Sequence, residues 1–246
     1  MNHPGMVTAV VAMMTSIGLC TVARAGEGNA AAPDYRFHFD WTSSNEAIWR
    51  THLASFVGIP GVQGLEIVCF EGRSTIWFAE NVLTDPAAHM TCIDVFSGHM
   101  EERFDHNISV SPVSQKITKL KGYSQDVLRG LEYGTYDFIY IDGCHLASCV
   151  LTDIVMAWDL LKPGAVIIFD DYRWNMKLPP NKRPKIAIDS FVEAFADQVT
   201  IVADTRNQLV LRKTAGRSEK AMVGNPIVRL FDGVKVEPES APEQDP

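Results

Sequence analysis

Short apolar runs rich in β-branched and aromatic residues recur along this chain, separated by polar turns and by segments with helical spacing. The densest stretch is Tyr136 to Tyr172, where YDFIYIDGCH is followed by the helical pattern LASCVLTDIVMAWDLL, a KPG turn and AVIIFDDY. Two buried-strand patterns one helix apart predict a strand–helix–strand unit of a parallel sheet. Upstream, Ile48, Trp49, His52, Leu53 and Phe56 share a helical face. GLEIVCF (64–70) predicts a first strand, and Glu71 to Ser74 turn into the helix TIWFAENVL, which Asp85-Pro86 ends. MTCIDV (90–95) and KITKLK (116–121) predict the next two strands, with a partly helical segment from Ser97 to Asn107 between them and a turn and helix in GYSQDVLRGL. After the opening unit, Lys185 to Ala196 predict a helix, and VTIVADT and QLVLRKT predict an antiparallel hairpin turning at Arg206 and Asn207. The order of elements predicts an α/β fold: a doubly wound, Rossmann-like, mainly parallel seven-stranded sheet closed by a C-terminal antiparallel hairpin.

The flanks differ in character. Met6 to Val22 is almost wholly apolar and precedes Ala23-Arg24-Ala25, a small-x-small pattern typical of signal-peptidase sites. Yet Met1 to Gly5 carry no Lys or Arg. At ~1.5 Å per residue the apolar stretch would only just span a ~30 Å bilayer core. Residues 1–25 therefore suit a signal peptide, an anchor or an upstream start site, and a membrane partner follows only if the segment is retained. Residues 26–40 suit a linker, 41–214 the folded domain, and 215–246 a polar, disordered tail.

Composition adds one exclusion: 22 Lys plus Arg face 30 Asp plus Glu, for a net charge of -8, so the overall field repels nucleic acid. The five cysteines show no CxxC pair and no zinc spacing, which suits structural thiols.

Ligands of open α/β sheets bind at the carboxyl ends of the strands. Asp142 ends one predicted strand and Asp170 and Asp171 another, with His145 three residues past Asp142. Three converging carboxylates repel one another unless a cation or shared protons compensate, and hard oxygen donors suit Mg²⁺. The alternative makes Asp142 a helix cap and the other two loop acids. His145 has the pKa range of a general base, although a lone histidine is more often structural. The glycine-containing turn at Gly72 can offer backbone N–H groups to an anion, and Asp94, at the end of the next strand, stands where an acid can hold ribose hydroxyls. A strand-end acid also caps loops. GxGxxG is absent, since LEIVCFEGRS holds only Gly72; this argues against an NAD enzyme.

LEIVCFEGRSTIWFAENVL, TCIDVFSG, KGYSQDVL, YDFIYIDGCH, LLKPGAVIIFDDY and the closing hairpin together resemble the class I S-adenosylmethionine-dependent methyltransferases, over about Trp49 to Lys213. Within that superfamily the chain looks most like the small metal-dependent O-methyltransferases, the catechol and antibiotic-sugar enzymes. The resemblance implies that Glu66 to Ser74, including Phe70 and Gly72, wrap the methionine end of S-adenosylmethionine, with Ser74 near its carboxylate. It implies that Asp94 holds the ribose, that Ser124 and Gln125 meet the adenine, and that Asp142 borders the cofactor. It further implies that Asp142, Asp170 and Asp171 ligate a divalent cation, that His145 is the base, and that the acceptor is a small-molecule hydroxyl. The loop from Arg173 to Pro184, with Trp174, would close over that acceptor. Such a cofactor suits the cytoplasm, whereas the N-terminus suggests export or anchoring. One position departs from the pattern: the first glycine of E-x-G-x-x-x-G is Val68, a β-branched residue that disfavours positive φ and adds bulk beside the cofactor. Weakened cofactor binding is the expected result. A degenerate, non-catalytic methyltransferase fold and a nucleotide-sugar or NAD-linked α/β enzyme are the alternatives.

Overall fold

Alternation along the central strands dictates two cores. In the computed structural model, which describes residues 32–214, the strand Tyr136–Ile141 (β4) sends Phe138 and Tyr140 to one face of the sheet and Ile139 and Ile141 to the other. The first face packs on helices Glu46–His52 (α1), Arg73–Asn81 (α2) and Gly98–Val110 (α3) through Trp49, Phe78 and Phe104; the second packs on Ala147–Trp158 (α5) and Lys185–Ala194 (α6) through Ile154, Trp158 and Phe191. Helices on both faces are the doubly wound arrangement expected from the sequence.

The remaining strands are Gln63–Ile67 (β1), His89–Asp94 (β2), Ile117–Lys121 (β3), Leu161–Phe169 (β5), Val199–Asp204 (β6) and Leu209–Lys213 (β7), and the short helix Ser124–Val127 (α4) follows β3. Their order in the sheet is β3-β2-β1-β4-β5-β7-β6. β1 to β5 are parallel, while β7 runs antiparallel between β5 and β6. The KPG segment, expected as a turn before β5, lies within it: Gly164 takes φ +83 and the register slips between Tyr136 and Phe138. The Arg173 to Pro184 loop has one short 3₁₀ turn, Pro180–Lys182.

Residues 33–40 form no helix or strand, yet they are tied down. Arg36 N donates to Asn107 Oδ1 (2.6 Å) and His38 N to Glu71 Oε2 (2.7 Å), while Phe39 stacks on Trp41 with ring centroids 4.9 Å apart. The signal-like segment and the polar tail lie outside the described residues; among those described, no helix is long and apolar enough to cross a membrane.

Candidate active site

Both acid-bearing strand ends extend the sheet by one step. Asp142 N donates to Ile67 O (3.1 Å) and Asp170 N to Ile141 O (2.9 Å), so both backbones are fixed by the ladder at the carboxyl edge. Tyr140, one of the buried residues of β4, points its hydroxyl between them: it donates to Asp170 Oδ2 and lies 3.3 Å from Asp142 Oδ2. A phenol carries a single proton, so it cannot donate fully to both carboxylates. Burial, followed by repulsion from Asp170, Asp171 and Glu66, drives the Asp142 carboxyl well above the ordinary carboxylate range. Burial also raises Asp170, against the Tyr140 hydrogen bond, which lowers it.

Asp171 leaves this pair. Its backbone turns into the left-handed region (φ 54), and its Oδ2 sits 2.6 Å from His145 Nε2. That contact raises the His145 pKa against the opposing effect of burial. With Nε2 on the carboxylate, the neutral imidazole keeps Nδ1 as its accepting nitrogen. The His145 ring lies 4.4 Å from Trp174, the aromatic residue of the expected lid. The three predicted cation ligands thus divide: two share Tyr140 and one holds the predicted base. Among the described residues, only Glu66, Cys69 and Cys92 place three metal-type ligand atoms within 4.8 Å of one another. Burial raises both thiols, which keeps them protonated and makes them poor ligands.

A cavity of about 550 Å³ opens in front of these groups, bordered by Asp142, His145, Asp170, Asp171 and Trp174 on one side and by Trp41, Asn45, Val68 and Phe70 on the other. That volume falls within the range of small-molecule sites. Beside it, under Phe37, Phe39 and Trp41, the predicted cofactor cradle encloses only about 40 Å³ and is floored by Val68, Glu71, Ser74 and Asp142.

The cradle loop follows β1. Val68 takes φ 69 and Phe70 φ 49, left-handed conformations in which non-glycine residues are strained, and Gly72 (φ 82) caps α2. Asp94 orders this path: its Oδ2 accepts from Cys69 N and Phe70 N, and its Oδ1 from Phe96 N, each at 3.0 Å. A carboxylate has about four acceptor positions, so three backbone donors leave little for a ribose. Glu66 is fully buried beneath the loop, where it accepts from Ser74 Oγ and Thr75 Oγ1, and burial raises its pKa to about 7. Of the predicted adenine contacts, Ser124 Oγ donates to Asp153 Oδ1 (2.7 Å) and the Gln125 carbonyl accepts from Arg129 Nε (3.0 Å). Asp94, Ser124 and Gln125 border neither of the two cavities. The structure therefore gathers Asp142, His145, Asp170, Asp171, Phe70 and Val68 at one cavity and leaves the expected ribose and adenine contacts outside it.

Sequence reasoning missed Tyr140, Trp41 and Asn45. Tyr140 carries a polar atom at a buried strand position, a signal visible in YDFIYID. Trp41 continues the alternation Tyr35, Phe37, Phe39, a pattern of period two that marks an extended segment with one aromatic face.

The fold is similar to that of solved methyltransferases. Residues 65–172 match the family described as "Methyltransferase domain". An O-methyltransferase from Bacillus cereus, solved with S-adenosylhomocysteine, is similar at 18% identity and TM-score 0.58, covering 73% of this chain and 84% of its own. The O-methyltransferase TomG from Streptomyces achromogenes, involved in tomaymycin synthesis and solved with S-adenosylmethionine, is similar at 18% identity and TM-score 0.57, covering 70% and 80%. The methyltransferase PaMTH1 from Podospora anserina reaches 20% identity and TM-score 0.50 over 62% of this chain and 72% of its own. No curated protein matches the sequence.

Proposed function

We propose that this chain is an S-adenosylmethionine-dependent O-methyltransferase that methylates a hydroxyl of a small molecule with the help of a divalent cation. The observation that carries the proposal is the His145–Asp171 pair, facing the same cavity as the Asp142–Asp170 pair. Two partly buried carboxylates, whose proton affinity burial raises, form a hard oxygen donor set that suits Mg²⁺. The bound cation would lower the pKa of the acceptor hydroxyl. Asp171 holds the imidazole by Nε2 and stabilises it once charged, and Nδ1 takes the hydroxyl proton. Trp174 and Trp41 wall the cavity. On the donor side Glu66, Phe70, Gly72 and Ser74 would take the methionine end of S-adenosylmethionine, with Val68 at positive φ where the motif has glycine. Asp94 contributes by shaping that path, with Ser124 and Gln125 further along the carboxyl edge. The net charge of -8 favours a small acceptor over nucleic acid.

Transfer of a labelled methyl group to a panel of phenolic and sugar hydroxyls, with Mg²⁺ or with chelator, tests the proposal. His145→Ala should lower the rate by roughly 100-fold or more, and chelator or Asp170→Ala should remove the cation-dependent part. Activity that persists in chelator and in Asp170→Ala would sink the cation assignment. Absence of both donor binding and transfer would favour the degenerate reading, to which Val68 and the small cradle point.

A further inference from the structure

Asp170 is flanked by a second buried polar group, supplied by the residue that precedes the adjacent strand β7. β5 and β7 run antiparallel with Phe169 opposite Leu209, and one step outward in that register Gln208 comes beside Asp170. Gln208 is 0% exposed. Its Oε1 accepts from the indole Nε1 of Trp49 at 3.0 Å. An indole N–H can only donate, so this bond fixes which way the amide faces: oxygen toward Trp49, Nε2 away from it. Trp49 is itself held, with Trp77, Phe78 and Tyr140 at ring-centroid distances of 5.1, 4.6 and 5.2 Å. Gln208 Nε2 completes no hydrogen bond of standard geometry. A buried amide donor with no completed bond is unfavourable, and the neighbouring carboxylate is an acceptor it could use.

We infer that Gln208, aimed by Trp49, is a positioning residue that presents its amide N–H to Asp170 and, together with the Tyr140 hydroxyl, fixes the orientation of that carboxylate. The inference rests on the reading of Asp142 and Asp170 as the pair that holds the cation. It links α1 to the cation site through two side chains. A carboxylate gripped from two sides presents its remaining lone pairs in a set direction, and partners of this kind are worth roughly 10- to 100-fold in metal affinity.

Mn²⁺ binding to the full-length chain, followed calorimetrically without donor or acceptor, tests it. Gln208→Met keeps the volume and loses the donor; binding should weaken about 10-fold. Trp49→Phe keeps an aromatic ring and loses the indole N–H; binding should weaken by a smaller factor. The double variant should bind no worse than Gln208→Met alone, because the indole acts only through the amide. Wild-type affinity in Gln208→Met would overturn the inference and leave the cation reading standing. No Mn²⁺ binding by wild type, or equal binding by Asp170→Ala, would overturn both. If Gln208→Met does not fold, as judged by circular dichroism, Trp49→Phe decides, and unchanged affinity there refutes the coupling.

Discussion

Replacing Val68 with glycine changes stability and ligand affinity by different routes. At φ 69 a β-branched residue carries ~1–2 kcal/mol of backbone strain. Glycine relieves it but adds ~0.5–1 kcal/mol of chain entropy and forfeits ~1 kcal/mol from a half-buried isopropyl group. These contributions nearly cancel, so the melting temperature should move by no more than roughly 2–4 °C. Affinity should respond more. The Val68 side chain borders both cavities, and its Cγ2 lies 3.4 Å from where a Cβ on Gly143 would stand. It therefore spans the gap between the loops after β1 and β4. Removing an overpacked group of this size is worth ~1–3 kcal/mol, or roughly 5- to 150-fold in the dissociation constant of S-adenosylmethionine. Calorimetric titration of wild type, Val68→Ala and Val68→Gly separates the contributions, since alanine keeps the strain and loses the bulk. Equal affinities in all three proteins would refute the reasoning.

Two further outcomes follow from the titrating groups. Burial raises Glu66 from 4.5 to about 7, so the folded chain holds a proton there that the unfolded chain releases above its lower pKa. Stability from this group is full below about pH 4.5 and is lost as pH rises through about 7, a change of about 3 kcal/mol; in Glu66→Gln, melting temperatures between pH 5 and 8, read by differential scanning calorimetry, should lose this slope, and an unchanged slope would contradict the assignment. The Asp171 contact raises His145, and a base acts when neutral, so methyl transfer should climb as pH passes that raised value. In Asp171→Asn the climb should shift toward acid pH while the maximal rate falls by roughly 10- to 100-fold; a pH–rate profile with an unmoved limb would separate Asp171 from the base.

Periodicity made most of the fold legible. β4 and β5 could be read because central parallel strands bury both faces and show as continuous apolar runs. The hairpin of β6 and β7 was equally clear, because its turn is local. That β7, and not β6, pairs with β5 was not legible, since pairing depends on residues 40 to 46 apart in sequence and on no local preference. Clustering of Asp142, Asp170, Asp171 and His145 followed from the rule that strand ends share an edge. Their division did not, because it depends on one left-handed residue, Asp171, turning its side chain away from its neighbour. Gln208 gave no signal at all: a polar residue beside a hairpin turn reads as solvated until the register places it under Trp49.

Trp41 borders both the 40 Å³ cradle and the 550 Å³ cavity, and it contacts Phe70 with ring centroids 5.5 Å apart. One indole thus serves as a shared partition. Two substrates separated by such a partition cannot arrive as independent events: whatever widens the cradle moves a wall of the neighbouring chamber. For the proposed reaction the expected kinetic signature is a compulsory order, with the ligand under the aromatic residues of segment 33–42 first on and last off.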